Sequence, residues 1–468
     1  MLWGQWLDAV KMLRAAFSRQ RTYLWFCVGL MGLTVRRDLA GVSSSIRALG
    51  LRGDVYIRLL RMFHSDAIKT DKLAELWLKT VKHYLSKHLY RVNDRLVLLG
   101  DGIKIPKEGK KMPGVKSLHQ ESESNTKPEF IMGHSCQCLS IVAGSVKSFF
   151  SVPLMCRIHE GVVLSNRCTL TLLDKMMRML ARLNLDEPCY FVADNYYASR
   201  KVILPLLADD HHLISRVRTN ATAYRLPGKR KKGQRGRHPT YGKKCKIKTL
   251  FKRKKDAFES IPSPVYGENN VTIRYYVTDL LWRPVGILVR FVLVDHPQRG
   301  QIILMSTDRN LEAEQIISLY GLRYKIEVSF KQARQNIGTF DYHFWMKGMK
   351  PIKRKQGDQY LHRKSEAYRA KVLNKLHAYH VHIQMGIIAQ GLLQMLSLNA
   401  TETVWQSFGS WLRTIRKGVL PTEPVVMMAM QNTLYEFLNV SAKAENLVKF
   451  LKGYIDNTRI EGKRLVGS

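Results

Sequence analysis

The chain has 468 residues, of which 45% are hydrophobic, so its composition is that of a globular protein of two or three domains and excludes a disordered chain. Lysine and arginine number 76 against 37 aspartate and glutamate residues, which gives a formal net charge of +39. Such an excess repels itself in a compact protein unless a polyanion neutralises it; nucleic acid is the commonest such partner, and an anionic membrane surface is the competitor.

The N-terminal region, residues 1–90, has the apolar periodicity of helices. Its longest apolar run, residues 23–33, is too short to span a bilayer, and the first ten residues lack a basic segment followed by a cleavage site. We therefore expect a cytoplasmic protein with no membrane partner.

Two short helices are predicted within this region, over residues 42–50 and 54–64, with Gly50 ending the first. This arrangement suits a helix-turn-helix, which is a DNA-binding unit, but helix pairs joined by a short glycine turn are common in any helical domain. Both interpretations stay open at this stage. In the first of them, four arginines contact phosphate: Arg47, Arg52, Arg58 and Arg61.

Residues 91–345 have the pattern of an α/β domain with a mixed sheet. Two short apolar strands are predicted to end on Asp101 and on Asp194, where a carboxylate has no packing role. Cys136 and Cys138 lack a second cysteine pair with zinc spacing, so we expect buried thiols. The other predicted elements are strands over 139–146, 148–159 and 211–220 and helices over 168–185 and 200–210.

Residues 217–306 interrupt this domain as a β-rich, basic insertion. Few acids balance its first part, which favours a surface that tracks phosphates over a merely solvated loop. Trp282, farther along, is expected to pack in the core or a hairpin rather than to stack on a base. The cationic stretch at the start of the insertion includes Lys229, Arg230, Lys231 and Lys232.

A helix that carries Glu327 follows the insertion, with Asn310 as its expected N-cap. On a helical wheel, Glu327 falls at the border of the apolar sector. The simpler interpretation of its charged neighbours is a set of surface ion pairs, each worth roughly a few tenths of a kcal/mol. The charged stripe consists of Arg323, Glu327, Lys331 and Arg334. The positions predicted to face solvent are Ser318, Gly321, Lys325 and Gln332.

The last part of the chain, residues 346–468, is predicted to be helical and either to pair two protomers or to cover the sheet. His377, His380 and His382 do not share one helix face, so we expect structural histidines rather than a metal site. Four aromatic residues are expected to pack where the helix of Glu327 meets this region: Phe340, Tyr342, Phe344 and Trp345.

Three acids stand out by their positions, namely Asp101, Asp194 and Glu327. Carboxylates crowded at the ends of neighbouring strands repel one another unless divalent cations bind between them, and oxygen-only ligands favour Mg²⁺ or Mn²⁺. Two such ions can activate water or a 3′-hydroxyl and stabilise the leaving oxygen of a phosphodiester. A basic DNA-binding protein could use this chemistry.

The same residues resemble a known family. Asp101 in "LLGDG", Asp194 in "FVADN" and the long β-rich insertion are similar to features of the DDE transposases of bacterial insertion sequences. The spacing Y-x2-R-x3-E, which ends on Glu327, resembles in particular the subgroup named for its Tyr-Arg-Glu-Lys motif. The resemblance spans roughly residues 91–345 and implies an RNase H-like catalytic core. In that core, the three acids would be catalytic and would bind two Mg²⁺ or Mn²⁺ ions.

The resemblance also implies partners and further site residues. Double-stranded DNA, both the element ends and the target, would be the partner, with a homodimer in the DNA complex at a bacterial nucleoid. Tyr320 and Arg323 would contact phosphate near the cut. The closing lysine of the family falls at Arg334, and a guanidinium also holds phosphate; Lys331 is the alternative. Two other functions stay open: a catalytically silent DNA-binding protein, and an endonuclease of the same fold without strand transfer.

Overall fold

The central sheet is built outward from the strand that carries Asp101. The structure, a computed structural model, describes residues 1–39, 41–120, 128–145, 148–228, 236–409, 418–440 and 445–459. The strands are β1 (Arg91–Val92), β2 (Arg95–Pro106), β3 (Lys116–His119), β4 (Phe130–Ser145), β5 (Ser148–Ile158), β6 (Val162–Val163), β7 (Cys189–Ala193), β8 (His212–Arg216), β9 (Thr222–Tyr224), β10 (Lys244–Lys246), β11 (Glu259–Pro262), β12 (Thr272–Trp282), β13 (Ile287–His296), β14 (Gly300–Ser306) and β15 (Gln359–Tyr360).

The helices flank the sheet and form most of both ends of the chain. They are α1 (Leu2–Lys11), α2 (Gln20–Val35), α3 (Gly41–Ala48), α4 (Val55–Phe63), α5 (Thr70–Tyr84), α6 (Leu172–Arg182), α7 (Arg200–Ala208), α8 (Leu250–Arg253), α9 (Ala313–Gly321), α10 (Tyr324–Gln332), α11 (Glu366–Asn399), α12 (Thr401–Phe408), α13 (Glu423–Asn432), α14 (Leu434–Val440) and α15 (Glu445–Lys452).

Five strands in the order β5-β4-β2-β7-β8 form the part of the sheet that positions the site. β4 pairs antiparallel with β2 and β5, whereas β7 runs parallel to β2 and β8 runs parallel to β7. α7 makes the crossover between β7 and β8, as a parallel pair requires. The predicted fold class, α/β with an RNase H-like mixed-sheet core, is confirmed.

The strands of the predicted insertion extend this same sheet. β14 pairs antiparallel with β8, and β13, β12, β9 and β10 continue the order outward from it. The apolar side chains of β13 and β14 therefore join the same two apolar clusters as the core strands, so the described part of the insertion shares the core of the domain. The predicted phosphate-tracking residues Lys229, Arg230, Lys231 and Lys232 lie outside the described residues.

The helical regions pack beside β5. α11, the longest helix, contacts β5, α2, α5 and α13. It is long and apolar enough to cross a bilayer, but its apolar window is completely buried inside the fold. The composition of α11 explains this burial, because a helix that is apolar on all sides must be covered on all sides.

The two helices predicted around Gly50 are present as α3 and α4, and Gly50 adopts the left-handed backbone (φ 55°) that ends the first of them. Much of their cationic charge is already paired inside the chain. Arg47 pairs with Asp38, and both Arg52 and Arg58 pair with Asp54. Arg61 is exposed. The helix-turn-helix interpretation remains a prediction.

Candidate active site

Asp101 and Asp194 are neighbours because of the register of two parallel strands. The last pair between β2 and β7 joins Gly100 and Ala193, so each aspartate comes one residue beyond it. The prediction that Asp101 ends its strand is wrong, because β4 continues to pair with β2 as far as Pro106. Asp101 instead lies where the neighbouring strand β7 ends. The two carboxylates therefore lie side by side at the point where β2 and β7 stop pairing.

Both aspartates project toward the face of the sheet that α9 covers. Successive side chains of a strand point to opposite faces, and Val97 and Leu99 lie in the apolar cluster that includes the buried side of α9. Asp101 continues that row along β2, and Asp194 continues the row of Val192 along β7. The alternation of side chains along β2 and β7 thus places both aspartates beneath α9 and α10, the second of which carries Glu327.

Glu327 lies on α10, which is separated from α9 by a short break. The prediction that Asn310 is the N-cap is wrong. The N-cap of α9 is Glu312, which forms a capping box with Gln315. The backbone N–H groups of Arg323, Lys325 and Ile326 donate to carbonyls three residues earlier, so the chain is wound more tightly here than in an α-helix. Arg323 lies in this tightened turn.

Arg323 joins two of the three acids. Its Nη1 donates to Oδ2 of Asp101 at 3.1 Å, and its Nη2 donates to Oε1 of Glu327 at 2.7 Å. The side chains of Asp101 and Arg323 are 17% and 21% exposed, but that of Glu327 is 56% exposed. The predicted place of Glu327 at the border of the core is therefore wrong, and its carboxylate is held toward the sheet by a cation.

Burial and crowding shift the pKa values of this cluster. Burial raises the pKa of Asp101 to about 6; Arg323 opposes the shift, and Asp194 and Glu327 add to it. Burial would lower the pKa of Arg323, but Asp101, Tyr320 and Glu327 together raise it above its ordinary value. Burial also raises the pKa of Tyr320, with Arg323 opposing and Asp194 adding. The five predicted residues are thus one electrostatically coupled group.

Two residues beside Asp194 were missed by sequence reasoning. Tyr197 is buried, and its hydroxyl accepts a hydrogen bond from Nε2 of Gln137 at 3.0 Å. Burial raises the pKa of this phenol, with Asp101 and Asp194 adding to the rise. Ser215 donates from Oγ to the carbonyl oxygen of Asp194 at 2.7 Å. The aromatic pair in "DNYY" was a visible signal for Tyr197, whereas Ser215 lies in an ordinary strand.

The insertion covers part of the predicted solvent face of the helix. Ser318, Gly321, Lys325 and Gln332 are all only partly exposed. A Cβ on Gly321 would lie 2.9 Å from the side chain of Val265, and Nζ of Lys325 is 4.2 Å from the ring centre of Tyr266. The prediction is wrong because the wheel shows which residues share a face and not what a distant segment places against it.

Beyond Glu327, the charged stripe lines an open groove of about 1310 Å³, which we term the Glu327 groove. Lys331 contributes from α10, and Arg334 contributes from the π-helical turn Ala333–Ile337 that follows it. The opposite wall comes from the loop after β2 and includes Lys110 and Lys111. The groove therefore places cationic side chains directly next to the third acid.

Trp345 lies at the rim of this groove and is 62% exposed, so its predicted packing is wrong. Phe340, Tyr342 and Phe344 are buried as predicted, and the last two stack on Tyr379 of α11. Alternation explains the difference. In this extended segment, residues 340, 342 and 344 face inward, whereas residue 345 faces the groove.

Other sequence features have structural roles. Trp282 is 7% exposed and packs edge-on against Phe291, and the thiols of Cys136 and Cys138 are buried, as expected. The three histidines of α11 each hydrogen-bond a different backbone group. His377 and His382 bond the carbonyls of Ser65 and Thr339, and His380 accepts from the N–H of Ile158.

The donor set of Asp101, Asp194 and Glu327 suits Mg²⁺ or Mn²⁺, because all of its ligand atoms would be carboxylate oxygens. Within the described ranges, however, no group of three or more His, Cys, Asp or Glu side chains is spaced to hold a metal ion as it stands. Arg323 instead bridges Asp101 and Glu327, so the exposed carboxylate of Glu327 is bound to a guanidinium.

Comparison with known proteins finds similarity over the segment that carries most of this site. Residues 148–345 match a family model described as Transposase DDE domain, a segment that contains Asp194, Tyr320, Arg323 and Glu327 and begins after Asp101. No curated protein matches the chain. A solved structure described as a piggyBac transposase synaptic complex with hairpin DNA aligns with 95% of this chain and 78% of its own, at 11% identity and a TM-score of 0.34. By the family match, residues 148–345 are similar to the DDE domain of transposases.

Proposed function

We propose that the protein is a metal-dependent DNA transposase of a bacterial insertion sequence, of the Tyr-Arg-Glu-Lys subgroup. It binds the inverted repeats at the element ends, cleaves phosphodiester bonds there and joins the freed 3′-hydroxyls to target DNA at the nucleoid. One observation carries the proposal: strand register sets Asp101 beside Asp194, and Arg323 connects that pair to Glu327. The family match over residues 148–345 supports it.

The three acids are assigned to metal binding. When bound, two Mg²⁺ or Mn²⁺ ions activate water or a 3′-hydroxyl and neutralise the leaving oxygen of the phosphodiester. Asp101, with its pKa near 6, is deprotonated at neutral pH and available as a ligand. Asp194 is oriented by the backbone N–H of Tyr196, which donates to its Oδ1 at 3.0 Å. Glu327 is exposed and paired with Arg323, and it would join the aspartates as a ligand on leaving that guanidinium.

The cationic side chains of the site are assigned to substrate binding. A guanidinium that leaves Glu327 keeps its bond to Asp101 and presents its other N–H groups to a phosphate beside the acids. Tyr320 lies next to it and can donate to the same phosphate. Lys331 and Arg334 hold the DNA backbone in the Glu327 groove. Two element ends require two such sites, so the active form is a homodimer on double-stranded DNA.

The test is cleavage of a labelled linear duplex that carries the end of the element, in Mg²⁺, Mn²⁺ or EDTA. We expect a metal-dependent nick at the element boundary that falls by at least about 1000-fold in Glu327→Gln. The matched control is Glu314→Gln, which removes an exposed acid from the first turn of α9 and is expected to leave cleavage unchanged.

Two outcomes would overturn the proposal in different ways. Tight, salt-sensitive binding without a cut in any metal would leave a catalytically silent DNA-binding protein. Metal-dependent cutting with no preference for the element boundary and no joining would leave an endonuclease of the same fold.

A further inference from the structure

A second cationic groove lies on the insertion, away from Glu327. It is formed by β9, β10, the short helix α8 and the outer ends of β12, β13 and β14, and its volume is about 850 Å³. We term it the insertion groove. Its lining includes one acid, Asp295, and six cations: Lys246, Lys248, Lys252, Arg253, Lys255 and Arg274.

Most of this charge has no counter-charge in the part of the chain that the structure describes. Counting described residues alone, Arg274 is the only lining cation with a side-chain hydrogen bond or ring contact: it donates to the carbonyl oxygen of Lys255 at 2.7 Å and lies over the ring of Phe258. The other lining cations are exposed. Elsewhere on the sheet, comparable cations are paired, as Arg95 is with Asp210 at 3.0 Å. Like charges held this close in a concave surface repel unless a polyanion enters.

A neighbouring groove of about 830 Å³ extends from the insertion groove to the residues that follow Asp194, and we term it the link groove. Asn195 and Tyr196, the two residues that directly follow Asp194, line one end of it. Residues 220–222 line both grooves and so join them. The cations of the link groove are Arg218, Lys244 and Arg283, all of them exposed, and its lining contains no acid among the described residues.

We propose that the link and insertion grooves bind the sugar-phosphate backbone of the DNA on the Asp194 side of the scissile bond. The inference rests on the proposed function, since it takes DNA as the polyanion, and extends it by naming where the duplex runs. The Glu327 groove begins at the third acid, so DNA can be held on both sides of the cut. Flexible lysines with no fixed partner suit phosphate contacts, which position the duplex without reading its sequence.

The experiment measures the dissociation constant against KCl concentration for a labelled duplex with the element end. It uses the full chain carrying Glu327→Gln, in EDTA, so that no cleavage intervenes. To this chain are added Lys246→Gln, Lys248→Gln and Lys252→Gln together. Each lost phosphate contact lowers the slope of log K against log salt by about 0.9, so we expect the triple variant to lower it by about 2.7. The matched control is Lys69→Gln, Lys87→Gln and Lys452→Gln, an equal charge change at exposed positions of the helical regions.

The outcomes separate this inference from the function on which it rests. A slope and affinity that match those of the control triple overturn the inference and leave the cleavage test untouched. A fall of about 2.7 in a protein that never cuts DNA supports the grooves and overturns only the nuclease. Duplexes shortened from one end supply the second readout: the effect of the triple must vanish when the DNA on one particular side of the boundary is removed, and an effect that survives removal of either side overturns the inference.

Discussion

Two regions of the molecule use positive charge in opposite ways. Where the helical regions meet the sheet, Arg36, Lys107 and Arg157 are buried, at 3%, 6% and 4% exposure, and donate to oxygens of the chain itself. In the insertion groove, the lysines are exposed and have no ion pair among the described residues. The cations behind the net charge of +39 are therefore of two kinds: some stabilise the fold, and others are available to a ligand.

Two of these buried cations, Arg36 and Lys107, contact the segment that follows α10. Nζ of Lys107 donates to the carbonyls of Phe340 and Tyr342 and lies 3.9 Å from the ring centre of Tyr342, and burial lowers its pKa to about 8. Arg36 donates to the carbonyl of Ile337, the last residue of the π-helical turn, and burial lowers its pKa to about 10. These bonds fix the end of the helix that carries Glu327, so charge in this region acts on the site through position.

The largest difference between the two regions should appear in the stability of lysine variants. Lys107→Met leaves two buried carbonyls without a donor, so we expect the free energy of unfolding to fall by about 4 kcal/mol. Lys252→Met is the matched substitution in the insertion groove and is expected to cause no measurable change. Urea unfolding of both variants makes the comparison. Equal effects would show that the division between structural and available cations is wrong.

A backbone change next to Arg36 should be almost as costly. Gly338 has φ +68°, and a Cβ there would lie 1.9 Å from Nη2 of Arg36. We expect Gly338→Ala to lower the free energy of unfolding by about 3 kcal/mol, since strain adds to the displaced guanidinium. Gly348→Ala, where a Cβ would meet nothing within 4 Å, is the control. A Gly338→Ala protein as stable as the control would remove Arg36 from the structural group.

The Arg323–Asp101 pair is intermediate between the two regions, because Arg323 is partly buried and pairs with acids of the chain itself. In the folded chain Asp101 has a pKa of about 6, above the ordinary 3.8, so the folded state binds more protons than the unfolded state between these values. Its contribution to stability is therefore present at low pH and is lost as pH rises through about 6. Without added metal, we expect unfolding free energy to fall by roughly 2–3 kcal/mol more between pH 4 and pH 6.5 in the natural chain than in Asp101→Asn. Parallel curves would contradict the burial of this carboxylate.

The smallest effect concerns the helix pair near the N-terminus. Arg52 pairs with Asp54 and lies over the ring of Tyr454, so Arg52→Gln should leave the salt dependence of DNA binding unchanged. Arg61 is exposed, and the helix-turn-helix interpretation predicts that Arg61→Gln lowers the slope by about 0.9. The same titration in KCl measures both. If the two variants behave alike, the pairing of Arg52 does not decide whether it meets DNA.

Local patterns in the sequence were sufficient for most of the elements. The apolar run before Asp101 predicted a strand and β2 is there, and the run before Asp194 predicted β7. The helix of Glu327 also followed from its periodicity, although its N-cap and its break at Arg323 did not. A capping box and a tightened turn depend on which of several nearby polar side chains bonds to the backbone, and the sequence favoured Asn310, a residue type that is common at N-caps.

Predictions failed where contacts come from far along the chain. Lys325 and Gly321 were expected in solvent, but the insertion covers them, and Trp345 was expected in the core but lies at a groove. Tyr197 escaped notice because its place beside both aspartates depends on strand register. Of these features, Tyr197 alone had a visible signal in the neighbouring sequence, the aromatic pair that follows Asp194.

By itself, the sequence determined the α/β class, the excess of cations and the three acids, because periodicity, composition and position on an element are local properties. Only the tertiary structure decided that Gly100 pairs with Ala193, that Arg323 reaches Asp101, and which lysines are buried and hydrogen-bonded inside the fold. Register, burial and the partner of a charge are set by segments separated by up to hundreds of residues, and no window of sequence contains both sides of such a contact.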